Sequence, residues 1–539
     1  MNEEEYCPRD GATFEKALKV NPRERLKARE VCPLDVIDNL NEIVAKGYEE
    51  VPEEDFVLLK WWGVIHEKPK IGKFSIRIGI PGGRLTPTQL REAGELAKEF
   101  GDGNIKVTTR QGLHIFGVNL KQSQEVMDAI KDSGLELAGG CGDAPRNITT
   151  CPLAGLNPDE LFDPWNTLNL LVKTFVGNRE YASLPHKYKI SLDTSPDHCN
   201  IPEINDVALL GVEKDGEFGF TPLIGGGGAL PARHGRHMPV FLDRGEEAVK
   251  FVVAYMNAWQ ENPKYRMSFA KARSKFLVDD CDMDNVRKEV ESRIGYELED
   301  YLEKPTLRVE SHHLGVGEQK QEGLKYIGFP ILSGMLNYEQ AIKIADLAEE
   351  VGAELRATTQ QNLIFVNLPE EELDGTITKM EDIGFTLKQS KIRKYAIGCT
   401  GHPYCVSSLG LGTSAREELE EIINHLEETI GDLDLTINSA GCPNGCSRPW
   451  LADIGIQGTS KLLPDGERTQ AFNVLLGGGR REGEAVLARL ILKMALPEDV
   501  KLSIERVVRT YLNEKQEGET FKDFTWRHEV NELKKMMVG

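Results

Sequence analysis

Several short stretches of this chain recur in the same order in its two halves, and such a duplication constrains the fold more than any other feature. Thr86-Pro87-Thr88-Gln89 reads as a helix start, with a capping threonine, proline at the first helical position and a glutamine able to close a capping box. Leu90, Ala93, Leu96, Ala97 and Phe100 then mark one helical face. Asn337-Tyr338-Glu339-Gln340 repeats the cap, and Ala341, Ile344, Leu347, Ala348 and Val351 repeat the face. Lys106-Val107-Thr108-Thr109-Arg110-Gln111 matches Arg356-Ala357-Thr358-Thr359-Gln360-Gln361, and Gly140 to Asn147 lines up with Gly398 to Cys405. Asp206 to Gly211 matches Asp453 to Gly458, and Leu223 to Gly227 matches Leu475 to Gly479. Alternating runs, Ser75 to Ile80, Ile105 to Thr109 and Leu113 to Val118, predict strands around the first helix.

The copies differ in chemistry. The second carries Cys399 and Cys405 (C-x5-C) and Cys442 and Cys446 (C-x3-C), set among glycine and proline. Four thiolates suit a cubane iron–sulfur cluster. Structural zinc prefers shorter spacings, so it comes second, and two disulfides or unrelated thiols come last. The other six cysteines, Cys7, Cys32, Cys141, Cys151, Cys199 and Cys281, show no close ligand spacing and are expected as thiols. The first copy instead carries Arg77, Arg110, Arg146, Lys187 and Lys189 at its motif positions. In Lys187-Tyr188-Lys189 the alternation of a strand sends both lysines to one face and the tyrosine to the other. Arginine forks and lysine point charges together fit a small, multiply charged oxyanion. A site between the repeats is the expectation, with thiolates on one side and cations on the other. Solvated lysines on an exposed strand face are the plain alternative.

Bulk properties exclude some classes. The 539 residues are 40% hydrophobic and 28% charged, which is globular composition, and length alone suggests three to four domains. A formal net charge of -21 disfavours nonspecific binding to nucleic acid or to an anionic membrane. The acidic start, Met-Asn-Glu-Glu-Glu-Tyr, has no apolar run behind it, and no stretch is long and apolar enough to span a bilayer. With ten cysteines and no signal sequence, a reducing, cytoplasmic location is expected. Residues 1 to about 66 read as an irregular arm with helical patches, ending in Trp61-Trp62, which suggests a wrapping segment or a pocket wall.

From about Trp61 to about Gly479 the chain resembles the sirohaem- and 4Fe–4S-dependent sulfite and nitrite reductases. The most specific stretch is the C-x5-C and C-x3-C set with Cys442-Pro-Asn-Gly-Cys446. Arg77 ahead of Pro81-Gly82-Gly83, Thr109-Arg110-Gln111, Gly142 to Asn147 and Leu184 to Lys189 support it. The resemblance implies an α/β (α+β) fold of three domains built on a pseudo-two-fold duplication, with cofactors between the repeats. The expected divisions are an arm at 1–66, ferredoxin-like half-domains at 67–140 and 311–395, a sirohaem and substrate domain at 141–310, and an iron–sulfur and sirohaem domain at 396–539.

By the same resemblance Cys399, Cys405, Cys442 and Cys446 bind the cluster, and Cys446 bridges it to the sirohaem iron. Arg77, Arg146, Lys187 and Lys189 surround the substrate, while Arg110, Asn147 and Asn444 lie near the macrocycle. The implied reaction is six-electron reduction of sulfite to sulfide, with nitrite as the alternative substrate. Lys187-x-Lys189, where nitrite enzymes tend to have Lys-x-Asn, favours sulfite. A noncatalytic iron–sulfur carrier is the reading from a different class. His186 stands where the family commonly has arginine. Ala144 and Ile65 stand where some members have a cross-linkable cysteine and tyrosine. The glycine runs at 225–228 and 477–479 lack a dinucleotide fingerprint, so electrons are expected from a separate donor protein such as ferredoxin.

Overall fold

The computed structural model describes residues 6–308, 312–409 and 414–539. The expected acidic start at residues 1–5 and the expected division between 310 and 311 lie outside the described residues. Both capping boxes form: Thr86 accepts from the Gln89 amide and caps the helix Pro87–Phe100, and Asn337 does the same for Tyr338–Glu350. The apolar faces read from the sequence are the buried faces, apart from half-buried Phe100.

The two half-domains complete one another. The first sheet runs Val64–His66, Lys73–Ile78, Leu113–Asn119 and Asn104–Val107, and its last strand, Met335–Asn337, comes from the second repeat. The second sheet runs Gly315–Glu318, Leu324–Phe329, Leu363–Pro369 and Glu354–Ala357, and is closed by Arg84–Leu85 from the first repeat. Leu336 pairs with Ile105 and Leu85 with Leu355, so the exchange is reciprocal. Each visiting strand leaves a glycine at positive φ: a Cβ on Gly83 would meet the Ala357 carbonyl oxygen at 2.3 Å, and one on Gly334 the Val107 oxygen at 2.2 Å. Only a residue without a side chain fits there. One continuous core therefore spans both repeats, from Ile76 and Ile105 to Leu355 and Phe365, and Leu34, Phe56 and Trp61 of the arm extend it.

Two further cores hold the cofactor-type domains, one from Ile148 to Leu298 and one from Ile392 to Met537. Their sheets share a plan. Ile190–Asp193 runs parallel to Val207–Lys214, which pairs antiparallel with Glu217–Ile224; Ile437–Ala440, Ile454–Leu462 and Arg468–Leu476 repeat this. The Asp206 carboxylate accepts from the Lys189 amide at 2.8 Å, as Asp453 does from Thr436 at 3.0 Å. The Asp206 and Asp453 carbonyls each accept from a glycine amide, Gly225 and Gly477, at 2.9 Å.

Two expectations need correction, and one pair of residues divides. Sequence matching paired Cys141 with Cys399 and Arg146 with Tyr404. The strand register instead sets Thr149 beside Ser191 and Ile397 beside Asn438, so the mate of Cys399 is Cys151. Cys7 and Cys281 are not thiols but a disulfide, with Cα atoms 5.5 Å apart; the arm brings together residues 274 apart, which no local spacing reveals. The paired tryptophans also divide. Trp61 is fully buried and donates to the Ala182 carbonyl at 2.6 Å, whereas half-buried Trp62 donates to Leu34 and lies under the Lys131 ammonium.

The two exchanged-sheet helices cross where Gly94 faces Ile342, and a Cβ on Gly94 would lie 2.8 Å from Ile342 Cγ1. Gly94→Val should therefore destabilise the protein by about 1–3 kcal/mol despite the better helix propensity of valine. Denaturant unfolding measures this, and an unchanged midpoint would show that the helices can part without loss.

Candidate active site

In the second repeat the loops that follow the parallel strands carry the cysteines, as is usual at the carboxyl ends of such strands. Cys442 and Cys446 lie just after Ile437–Ala440, and Cys399 directly follows the short strand Ile397–Gly398. Lys187 and Lys189 precede Ile190–Asp193, with Tyr188 between them buried in the second core. Arg77 is on Lys73–Ile78, and Arg110 sits in the turn before Leu113–Asn119. These elements enclose one cavity of ≈ 1570 Å³ of atom-free space, mouth included. All eleven residues singled out above line it: Arg77, Arg110, Arg146, Asn147, Lys187, Lys189, Cys399, Cys405, Cys442, Asn444 and Cys446. Thr109 Oγ1 donates to the Cys446 carbonyl at 3.1 Å, which docks the cysteine loop of one repeat on the turn of the other.

The lining is strongly cationic. Adding Lys106, six lysines and arginines face, among the described residues, a single carboxylate, Glu136, whose Oε1 already accepts from the Leu137 and Ala138 amides. Burial lowers the Lys187 ammonium to about 8, and nearby Arg273 adds to the effect. Burial, then Arg110 and Lys187, lowers Lys189 well below the ordinary lysine value. Among the described residues neither ammonium has a hydrogen-bond partner. The Nε atoms of Arg77, Arg110 and Arg146 are buried and likewise unpartnered. Unpaired buried charge is costly, so this wall suits a ligand rich in anionic oxygens. A carboxylate-bearing macrocycle with an oxyanion beside it fits that requirement.

The arginines are not equivalent. Arg110 donates to Asn205 Oδ1, and to the Asn147 and Ile190 carbonyls, so much of its fork ties the half-domain to the sheet that begins at Ile190–Asp193. Asn147 donates to the Ile80 and Arg110 carbonyls and so braces the same junction. Arg146 donates to the Gly142 carbonyl at 2.9 Å, and its turn is held from behind, where Arg23 (2.8 Å) and Lys27 (3.6 Å) of the arm pair with Asp143.

The spacing of the thiols suits a cluster better than one ion. Burial, then the neighbouring Cys446, pushes Cys399 up to about 12 and Cys442 up to about 11, because the sulfurs converge in one enclosed place. The Gly441 amide donates to Cys399 Sγ at 3.1 Å, a contact typical of cluster thiolates. A single tetrahedral zinc needs sulfurs about 3.8 Å apart. Among the described residues, three ligand atoms all within 4.8 Å of one another occur at Cys151, Cys199 and His313, and not at these four cysteines.

Some lining residues escaped sequence reasoning. Lys106 is fully enclosed, donating to the Ser333 and Gly398 carbonyls; its match with Arg356 marked a repeat position, not a site. Cys141 also faces the cavity, with Arg146 Nη2 3.8 Å from its sulfur. Burial raises its pKa, but Arg146, Arg77 and Lys60 together bring it down to about 6. His186, which stands where the family commonly has arginine, does not line the cavity. It stacks on Phe269 at 4.4 Å, its Nδ1 accepts from the Lys187 amide, and burial lowers its pKa so that it is neutral.

Residues 141–298 and 396–538 match the family model described as the nitrite and sulphite reductase 4Fe-4S domain. Residues 66–133 and 317–382 match the nitrite/sulfite reductase ferredoxin-like half domain. The chain belongs to the nitrite and sulfite reductase family, whose members are sirohaem and iron–sulfur oxidoreductases. It is 28% identical over 543 residues to a Mycobacterium tuberculosis protein named sulfite reductase (ferredoxin), covering 96% of each chain. It is 30% identical over 485 residues to the chloroplastic ferredoxin–nitrite reductase of Zea mays, covering 85% of this chain and 84% of the relative. Among solved structures, that of the Mycobacterium tuberculosis NirA protein matches with a TM-score of 0.88 at 28% identity, over 95% of this chain and 97% of the other. No helix among the described residues is long and apolar enough to cross a membrane.

The depressed Lys187 ammonium sets a stability test. A folded-state value near 8 against 10.5 unfolded costs the cofactor-free fold on the order of 3 kcal/mol below pH 8. Lys187→Met should thus stabilise that form at pH 7, with the advantage fading as pH rises from 8 to 10.5. Urea unfolding at pH 7 and pH 10 measures both points.

Proposed function

We propose that this chain reduces sulfite to sulfide with six electrons, at a sirohaem coupled to a 4Fe–4S cluster. The observation that carries the reading is the wall of Arg77, Arg146, Lys187 and Lys189, two forks and two ammonium groups on one cavity that the four cysteines also line. Cys399, Cys405, Cys442 and Cys446 would hold the cluster, with Cys446 nearest the sirohaem, and when bound the two groups would supply one-electron chemistry.

The protein's own residues do the rest. Arg77 and Arg146 orient the oxyanion through their planar forks. Lys187 and Lys189 add mobile positive charge where negative charge builds up during bond cleavage. Each oxygen lost as water takes two protons, and the Lys187 and Lys189 ammonium groups line the cavity where they can donate them. Arg110, Asn147 and Asn444 face the region expected to hold the macrocycle. Electrons come from an external donor protein; the donor named for the mycobacterial and plant relatives is ferredoxin.

Nitrite, reduced to ammonia, is the second reading, and the match to the plant nitrite reductase favours keeping it. Sulfite carries more charge than nitrite, which gives the second lysine a physical purpose. Lys189→Asn should lower the ratio of sulfite to nitrite kcat/KM about tenfold or more, measured with one donor at one ionic strength. An unchanged ratio would overturn the argument from the lysine pair. Cys446→Ser should reduce turnover of both substrates to background and alter the visible spectrum, because the electron path is cut.

A further inference from the structure

The first repeat contains a second copy of the cysteine cradle, which the function above does not use. Strand register relates Ile190–Asp193 to Ile437–Ala440, and Val207 follows Ile190 at the same interval as Ile454 follows Ile437. Cys199 therefore stands where Cys446 stands in the other repeat. The loop shape agrees, since Ile201 and Arg448 both take positive φ, 53° and 60°, before a proline-led turn.

The other arm of the cradle corresponds too. Setting Cys151 on Cys399 puts Asn157 on Cys405, and their amides donate to the carbonyls of Leu153 and Gly401 at 2.9 and 2.8 Å. The amides of Leu161 and Leu409 donate to Thr194 and Gly441, both at 2.9 Å. The half-domains dock alike, with Thr109 Oγ1 on the Cys446 carbonyl and Thr359 Oγ1 on the Cys199 carbonyl, each at 3.1 Å.

Side chains, not backbone, separate the two cradles. Cys405 and Cys442 are replaced by Asn157 and Ser195, which bond to each other at 2.9 Å and close the space a cubane would fill. His313, from the segment leading into the second half-domain, enters instead. The sulfurs of Cys151 and Cys199 and a ring nitrogen of His313 all lie within 4.8 Å of one another, and all three residues are buried. Cys151 Sγ is 3.6 Å from His313 Nε2. Tetrahedral bonds of about 2.3 Å to sulfur and 2.0–2.1 Å to nitrogen put those atoms about 3.6 Å apart. Asp193, at the end of the adjoining strand, is buried with neither carboxylate oxygen in a well-formed hydrogen bond. Two sulfurs and an imidazole nitrogen converging beside an unpartnered buried carboxyl group are a donor set of the kind a zinc ion takes.

We propose that Cys151, Cys199 and His313 bind one zinc ion that pins the second half-domain to the substrate-side domain. Two thiolates neutralise the ion, the neutral imidazole gives the third ligand, and the fourth position is left to water. Leu153, Leu156, Ile364 and Val366 pack around the site and shield it. Binding releases the thiol protons and needs no oxidant.

Metal analysis of the full chain, purified without oxygen, tests this. The expected result is about one zinc per chain beside the cluster and haem iron, with X-ray absorption showing two sulfurs near 2.3 Å and nitrogen near 2.0 Å. Cys151→Ser and His313→Ala should each lower retained zinc about tenfold or more, while iron content and the visible spectrum stay as in the parent. The proposal fails if iron-replete protein neither carries zinc nor retains it after incubation with zinc chloride and dialysis. It also fails if zinc survives both substitutions, or if Cys151 and Cys199 are recovered as a disulfide. Should a variant misfold, the absorption spectrum of the parent still decides the ligand set. Missing iron would count against the reductase reading, whereas zinc is measured independently.

Discussion

Each half-sheet is closed by a strand from the other repeat, and the rest of the molecule depends on that exchange. An open edge presents unpaired amides and carbonyls. Here Met335–Asn337 covers one edge and Arg84–Leu85 the other. With the edges joined, the two halves share a core and cannot slide past one another. The turns at Thr109 and Thr359 are then held at fixed places, each reaching into a loop of a cofactor-type domain. The cavity is the space left between parts that no single repeat could position.

That cavity gathers Arg77, Arg110, Arg146, Lys187 and Lys189 with little to neutralise them. The cofactor-free fold therefore carries electrostatic strain, which anionic ligands relieve. Arm residues absorb part of the load at the back of the site, since Asp143 is buried and pairs with Arg23 and Lys27. Lys189 is backed in the same way, its amide held by Asp206, which also pairs with Arg273. Asp143 and Asp206 thus fix the backbone that presents the cations but stay off the working face.

Much of this could be read from the sequence where chemistry is local. Capping boxes, the glycine turn at Pro81-Gly82-Gly83 and the Lys187-Tyr188-Lys189 alternation each depend on a few neighbouring residues, and each appears as expected. The site set was legible through motifs that resemble one family. Non-local facts were not. Strand exchange, the Cys7–Cys281 bond and the approach of His313 to Cys151 join residues far apart in sequence, so no spacing marks them. Register was the subtlest failure: Gly-Cys at 140–141 imitates Gly-Cys at 398–399, and the ladder beside Ser191 was needed to find the true mate. The motif position of His186 says which residue is present but not which way its ring turns.

The exchange also orders events during synthesis. The strand Asn104–Val107 leaves the ribosome about 230 residues before Met335–Asn337, the strand that must lie beside it. At roughly 5–20 residues per second that interval is on the order of 10–50 s. For that time the first half-domain has an unfilled sheet edge and a core missing its second half. A nascent chain in this state is a natural client for chaperones, and the cavity can take its cofactors only after the second repeat has arrived.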